Sequence, residues 1–294
     1  MRFDSYHPGI NFIFFVAAFL CTICFCHPVY LVISFLAAFV YSAYLKGVKT
    51  FIFNLCLLPV PFLYAMYFSY YTHFGITNLS VNVIDNQITL EALVFGLMRG
   101  FTIITIVMWL ICLFEIFTTD KIVYLLGKIS PNLSLFFSMF LRMVPRIKIR
   151  AEKIRIGREG IGKGIGQGNI IQRVWHLIQI LSILITWFLE NLVEISTSMK
   201  SRGYSLKGRT AFSIYRFDNR DRSLVILMFW CLNFIGMAVL FDQTKAYYDP
   251  VIVLPIVSTG TIIFYIIYGA FLLLPLILQL VGDLCYNRKK ERRE

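Results

Sequence analysis

The sequence predicts an all-α polytopic membrane protein with about six transmembrane helices and, on the cytoplasmic side, a pair of long amphipathic helices. Three observations carry this. First, the chain is 58% hydrophobic and 15% charged, with a mean hydropathy of +0.73; a soluble domain has about 25% charged and about 45–50% apolar residues. A chain of 294 residues has no core large enough for that excess, so it requires lipid. Second, the apolar residues fall in runs of about 20, the length that crosses a bilayer as a helix. Third, the charges are segregated: residues 141–222 hold 16 of the 28 Lys and Arg side chains.

The spans follow in order. Residues 10–26 form the first, ended by His27-Pro28, and residues 29–45 the second. Residues 51–71 form the third, with Pro59 and Pro61 expected to kink it. Residues 90–117 are the fourth, residues 224–241 the fifth and residues 251–281 the sixth. Lys and Arg in short loops set the orientation. The loop holding Lys46 and Lys49 is basic and is placed inside, while residues 72–89 contain no Lys or Arg and are placed outside. Lys121 and Lys128 return inside, the loop with Lys245 lies outside, and the tail from Arg288 to Glu294 is inside. Both termini are then cytoplasmic. The first apolar run has a weak positive flank and no small-residue cleavage site, so no removable signal peptide is expected.

The stretch between the fourth and fifth spans behaves differently, and the chain divides on this basis into residues 1–117, 118–222 and 223–294. Arg142, Arg146, Arg150 and Lys153 recur at helical spacing, and Met143, Ile147, Ala151 and Ile154 do so on a neighbouring face. A glycine-rich loop follows, residues 160–168. Residues 174–200 are apolar enough to pass for a span but carry a polar stripe: His176, Gln179, Ser182, Thr186, Glu190, Glu194 and Thr197. A single crossing there would put one of the two flanking basic blocks outside. The segment is therefore expected to lie along the inner membrane surface.

The net charge of +12 could indicate nucleic acid, but the positive-inside bias accounts for part of it, and no nucleic acid is expected as a partner. Seven cysteines, including Cys21, Cys24 and Cys26, serve as small apolar residues of membrane helices. His7, His27, His73 and His176 share no metal-site spacing, so neither a metal nor a cofactor is expected. Gly157-Arg-Glu-Gly-Ile-Gly-Lys-Gly164 comes near a phosphate-binding loop, but Gly164 stands where a hydroxyl should hold magnesium and no strand precedes it. The chain is not expected to hydrolyse ATP. Arg99 and Glu115 lie in the fourth span, where ionisable groups either mark a substrate path or form a tertiary pair. Gly203 is suited to the left-handed position beyond a helix end, with Arg202 in the last turn favoured by the helix dipole. Arg158, within Gly157-Arg158-Glu159-Gly160, is expected to end the preceding helix in the same manner.

These motifs together resemble the transmembrane T component of energy-coupling factor (ECF) transporters, a class of ATP-binding-cassette importers. The resemblance rests on Thr118-Thr119-Asp120, Pro131, Leu141-Arg142-Met143-Val144-Pro145, Gly157-Arg158-Glu159, Ser201-Arg202-Gly203 and Lys207-Gly-Arg209-Thr210. It extends to the openings His7-Pro8-Gly9 and His27-Pro28. The first Ala-Arg-Gly-like motif departs from the family pattern by Gly157 and Glu159, the second only by Ser201.

The resemblance implies two coupling helices, about residues 142–158 and 174–202, that follow two ABC-type ATPase subunits as these dimerise and separate. Gly157, Arg158, Ser201, Arg202 and Gly203 would engage the ATPases. The apolar face with Leu177, Leu181, Leu184 and Phe188 would hold a substrate-binding membrane S component, for vitamin or metal-ion uptake. On this reading the chain is a transmitter without catalytic residues. A self-contained permease using Arg99 and Glu115, or a membrane enzyme, remain the alternatives that residue spacing alone leaves open.

Overall fold

The computed structural model describes residues 3–72, 74–81, 87–204, 215–255 and 257–291, with side chains to residue 285. Lys207, Arg209, Thr210, His73 and the side chains of the basic tail lie outside the described residues. The protein is nearly all helical, and its helices are those of a multi-pass membrane protein. Contacts divide it into two compact units: residues 1–118 with 215–294, and residues 119–214.

The first unit opens with two helices, each started by a His-Pro pair. α1 (Pro8–Cys24) and α2 (Pro28–Lys46) carry Pro at the first helical position, where its missing N–H costs nothing. The preceding histidine caps the helix: His7 Nδ1 accepts the Gly9 N–H at 3.1 Å, and His27 Nδ1 accepts that of Val29 at 3.2 Å. α3 (Val48–Leu57) and α4 (Pro59–Tyr71) together make the third span. The expected proline break falls at Leu58, whose N–H reaches back only three residues, to the Leu55 carbonyl. The loop after α4 contains a feature that the sequence did not lead us to expect, an antiparallel pair of strands, β1 (Asn78–Val81) and β2 (Gln87–Thr89). It leads into α5 (Leu90–Ile116), followed after the second unit by α9 (Asn219–Leu240) and α10 (Thr259–Glu291).

The sixth span requires a correction. It begins at Thr259, not at residue 251. Pro255 disfavours helix in the residue before it, and Tyr247 and Val253 instead exchange both backbone hydrogen bonds in an isolated bridge. The helix starts where Thr261 Oγ1 can accept the Ser258 N–H, at 2.9 Å.

α5 packs along α4, α2 and α1, and α10 along α2 and α9. Their common core is aromatic and polar. Fully buried Phe14 lies 5.9 Å from Trp109 and 5.2 Å from Phe271, centroid to centroid. The Trp109 indole donates to Ser34 Oγ at 3.2 Å, and Ser34 shares a 2.9 Å hydrogen bond with Thr22. In lipid, apolar surface alone does not hold helices together, whereas close packing and interhelical hydrogen bonds do. Asn54 adds a second such link, donating to Ser42 Oγ at 2.6 Å.

Among the described residues six helical segments are long and apolar enough to cross a membrane, and they are not quite the six expected: α8 (Ile170–Ser201) of the second unit qualifies, and α1, at 17 residues, is shorter than the rest. Seventeen residues is still within the spanning range. α8 differs from the other candidates in burial, with only 6% of its most apolar window enclosed by protein.

Candidate functional site

The second unit is built from α6 (Thr119–Ile129), α7 (Pro131–Gly160) and α8 (Ile170–Ser201). α6 and α7 form a tight hairpin, pinned by Ser134 Oγ donating to the Val123 carbonyl at 2.8 Å. α7 is longer than the expected helix at residues 142–158 and begins with Pro131 at its first position. Pro145 sits inside it and leaves the Leu141 carbonyl without its helical donor.

α7 and α8 run antiparallel. Arg158 meets Gln179, and Arg150 stacks over the Trp187 ring at 5.4 Å. Arg142 and Arg146 share a groove with Asn191, Glu194 and Arg202. The face of α7 that turns inward is the one the periodicity indicates: Met143 is buried, and Ile147, Ala151 and Ile154 are half-buried. On α8 only Ile180 is buried outright.

Both helices close with the same backbone device. At α8, Gly203 has φ 76°, its N–H bonds to the Lys200 carbonyl and that of Tyr204 to Met199, so that two orphan carbonyls are satisfied. Arg202 stands directly before the left-handed glycine and is exposed, and Ser201 Oγ donates to Ser198 O at 2.8 Å. At α7 the left-handed residue is Gly162, with φ 71°, bonded to Glu159, while Lys163 bonds to Arg158.

α7 ends at Gly160 with Arg158 in its last turn, and what differs from the expectation is the place of the left-handed glycine. Gly157 and Gly160 are ordinary helical residues, and the cap falls at Gly162, the first glycine free to take positive φ once the helical bonds are spent. The two arginines differ accordingly. Arg158 is half-buried and donates from Nη2 to Gln179 Oε1, and its Nε is buried without a partner. Arg202 sits over the open groove.

The four residues expected to face an S component fall on α8 in two settings. Leu177 and Leu181 are each 50% exposed, while Leu184 and Phe188 are half-buried towards the inward side. Beside them Ile178, Ile185 and Leu189 remain exposed, so α8 presents an apolar strip with no covering element in its own unit. Gln179, Asn191 and the Arg142/Arg146 pair were not legible as one site. Only the i, i+4 spacing of the two arginines marks their common face.

In the first unit, Glu115 pairs with Lys46 at 3.2 Å, and Arg99 lies over the Phe95 ring at 5.1 Å. Sixteen residues of one helix separate Arg99 from Glu115, about 24 Å, so they do not form a relay with each other. Among the described residues no three His, Cys, Asp or Glu side chains converge as metal ligands, and all seven cysteines are free.

A polytopic helical membrane protein with an arginine-bearing helical pair is thus the class that the fold defines. The named relatives narrow it. The chain is 30% identical over 111 residues to the energy-coupling factor transporter transmembrane protein EcfT of Lactobacillus helveticus, 37% of this chain and 39% of that protein. It is 31% identical over 91 residues to the EcfT protein of Lacticaseibacillus paracasei, 31% and 34% of the two chains. It is 26% identical over 142 residues to EcfT 1 of Listeria monocytogenes, 43% and 53% of the two chains. The chain thus spans about a third to a half of the length of these curated relatives. No family model matches it. The resemblance read from the motifs and the names of these relatives point to the same family.

Proposed function

We propose that this chain is the transmembrane coupling component of an ATP-driven energy-coupling factor importer. It passes the motion of two ABC-type ATPase subunits to a separate S component that binds a vitamin or metal ion, and performs no chemistry itself. The single observation that carries this reading is the α7–α8 pair, which presents Arg158 and Arg202 at its two ends and an uncovered apolar strip along α8. Gln179, the partner of Arg158, and Arg202 are 23 residues apart on the chain, about 35 Å along a helix. Two ATPases can each take one such end.

A guanidinium is always charged and offers five donors in a rigid fork. At a helix end held by a left-handed glycine it makes a fixed peg for an acidic groove. Arg202 is ready for such a groove. Arg158 must first exchange Gln179 for the ATPase, which suits a contact that tightens and loosens through a cycle. The strip on α8 is the surface for the S component. With both termini and the second unit cytoplasmic, α8 lies below the inner leaflet and reaches both partners.

The test is substrate uptake and ATPase co-purification for Arg202→Glu, Arg158→Glu and the double variant, with Arg209→Glu as the control. Truncating one member of a buried, hydrogen-bonded charge pair costs about 2–5 kcal/mol, and a rim charge far less. Sign reversal should cost more. The single variants are expected to block uptake and the double variant to detach the ATPases. Normal uptake by the double variant would sink the assignment and return the chain to the permease reading.

A further inference from the structure

We propose that Arg99 binds the phosphate of a membrane phospholipid in the leaflet at the N-terminal end of α5. Arg99 is half-buried, and its guanidinium lies over the Phe95 ring at 5.1 Å. It forms no hydrogen bond and no ion pair with any described residue. A guanidinium offers five donors, and a charge left bare within a span is costly. Neither carboxylate of its own helix neutralises it. Glu91 is eight residues towards the helix start, about 12 Å, and accepts from Thr77 Oγ1 at 2.7 Å. Glu115 is taken by Lys46. The recess beside Arg99 has neutral walls, among them Phe25, Met98, Thr102 and Tyr248, and no carboxylate. A phosphate supplies what is missing, since it accepts two parallel N–H bonds from one guanidinium.

Depth and face select a lipid over a soluble anion. Glu115, exposed and paired with Lys46, marks the polar boundary at the far end of α5. A hydrocarbon core of about 30 Å corresponds to about 20 helical residues, which puts the other boundary near Phe95. Arg99 is one turn inside that level, and helix side chains lean towards the helix start, so the guanidinium reaches the headgroups. Tyr248 meets Phe95 there at 5.6 Å, and tyrosine favours the interface. From Arg99 towards the bilayer centre the same side of α5 is uncovered: Ile103 (45%), Leu110 (37%) and Phe114 (72%) are exposed. At 3.6 residues per turn these three lie within about 60° of Arg99 around the helix. A phosphate at Arg99 leaves its acyl chain to run along them. The recess itself is about 10 Å³, the size of one water, so a free anion finds no enclosure and the phosphate sits at its mouth. This site belongs to the first unit and is independent of the coupling reading.

The experiment uses the full chain, purified and delipidated in neutral detergent. Its thermal midpoint is followed with added phosphatidylglycerol, diacylglycerol of the same acyl chains, or inorganic phosphate, and bound lipid is counted by native mass spectrometry. Phosphatidylglycerol is expected to raise the midpoint and stay bound. Diacylglycerol, which lacks the phosphate, and inorganic phosphate, which lacks the chains, are not. Arg99→Gln should bind phosphatidylglycerol about tenfold more weakly, that is by about 1.4 kcal/mol. Lys245→Gln, which removes a cation from the loop between α9 and α10, should bind it as the wild type does. Should Arg99→Gln fail to fold, the three ligands compared on the wild-type chain still decide.

Equal effects of phosphatidylglycerol and diacylglycerol would make this face a plain acyl-chain surface and overturn the proposal. So would equal effects of phosphatidylglycerol and inorganic phosphate, which would indicate a soluble-anion site. Wild-type binding by Arg99→Gln, or an equal loss in Lys245→Gln, would show that the Arg99 guanidinium does not hold the phosphate.

Discussion

α5 meets α4 through glycine, and the contact has a measurable consequence. A methyl group on Gly100 would stand 2.7 Å from Pro61 Cα and 3.1 Å from its carbonyl oxygen, and one on Gly96 would stand 3.0 Å from Ala65 Cα. The obstructing atoms at Gly100 are backbone and a proline ring, neither of which can swing aside. Gly100→Ala must therefore push the two helices apart. Forcing an extra carbon into a packed interior costs about 1–3 kcal/mol, and alanine's higher helix propensity returns up to about 1 kcal/mol. A 2.7 Å approach to backbone puts the cost in the upper half of that range, so the net loss is about 1–2 kcal/mol. Gly236 in α9 is the reference: nothing lies within 4 Å of its missing methyl, so Gly236→Ala should be neutral or stabilising by about 0.5–1 kcal/mol. The assay is the thermal unfolding midpoint of both variants in one detergent. With about 2–4 °C per kcal/mol for a chain of this order, Gly100→Ala should melt several degrees lower and Gly236→Ala should not. A Gly100→Ala protein as stable as wild type would refute the close approach of α4 and α5.

Three further outcomes are expected. Burial holds the His27 imidazole below its ordinary pKa of 6.5, and the α2 cap needs its Nδ1 unprotonated; the cap's contribution is complete above that value and is lost as pH falls through the lowered folded pKa. Melting curves from pH 7 to 5 should therefore show a steeper loss in wild type than in His27→Asn, which keeps a capping acceptor without a titrating ring. Single cysteines at positions 158, 168, 202 and 216, in a background without reactive native thiols, should all resist an impermeant thiol reagent outside intact cells; labelling at 202 but not 158 would show that α8 crosses the membrane. Leu181→Asp with Leu184→Asp should release the S component while the ATPases co-purify, and retention of both with normal transport would mean that this strip is buried within the chain.

The ends of the helices show how much was legible. His27-Pro28 read as the break between two spans and His7-Pro8 as the opening of the first; both are helix starts, because an imidazole nitrogen can accept the N–H two residues on while proline occupies the first helical position. Gly203 was readable as a left-handed terminus. The end of the helix near Arg158 was readable, but its left-handed cap at Gly162 was not, because residues 157–168 offer several glycines and local propensity does not choose among them. The strand pair before α5 and the bridge between Tyr247 and Val253 were invisible for a related reason: each is a backbone pairing within a short loop, which hydropathy does not report.

Composition, apolar run length and charge segregation were enough to determine a polytopic helical membrane protein and the inward face of α7, since these depend on transfer free energies and on the 3.6-residue period, both properties of the chain itself. The partner of Arg158, the gathering of Arg142, Arg146 and Arg202 around one groove, and the pairing of Glu115 with Lys46 were decided only in three dimensions. Gln179 is 21 residues from Arg158, and Lys46 is in a different helix from Glu115. The register of one helix against another is set by how their side chains interlock, and no single helix contains that information.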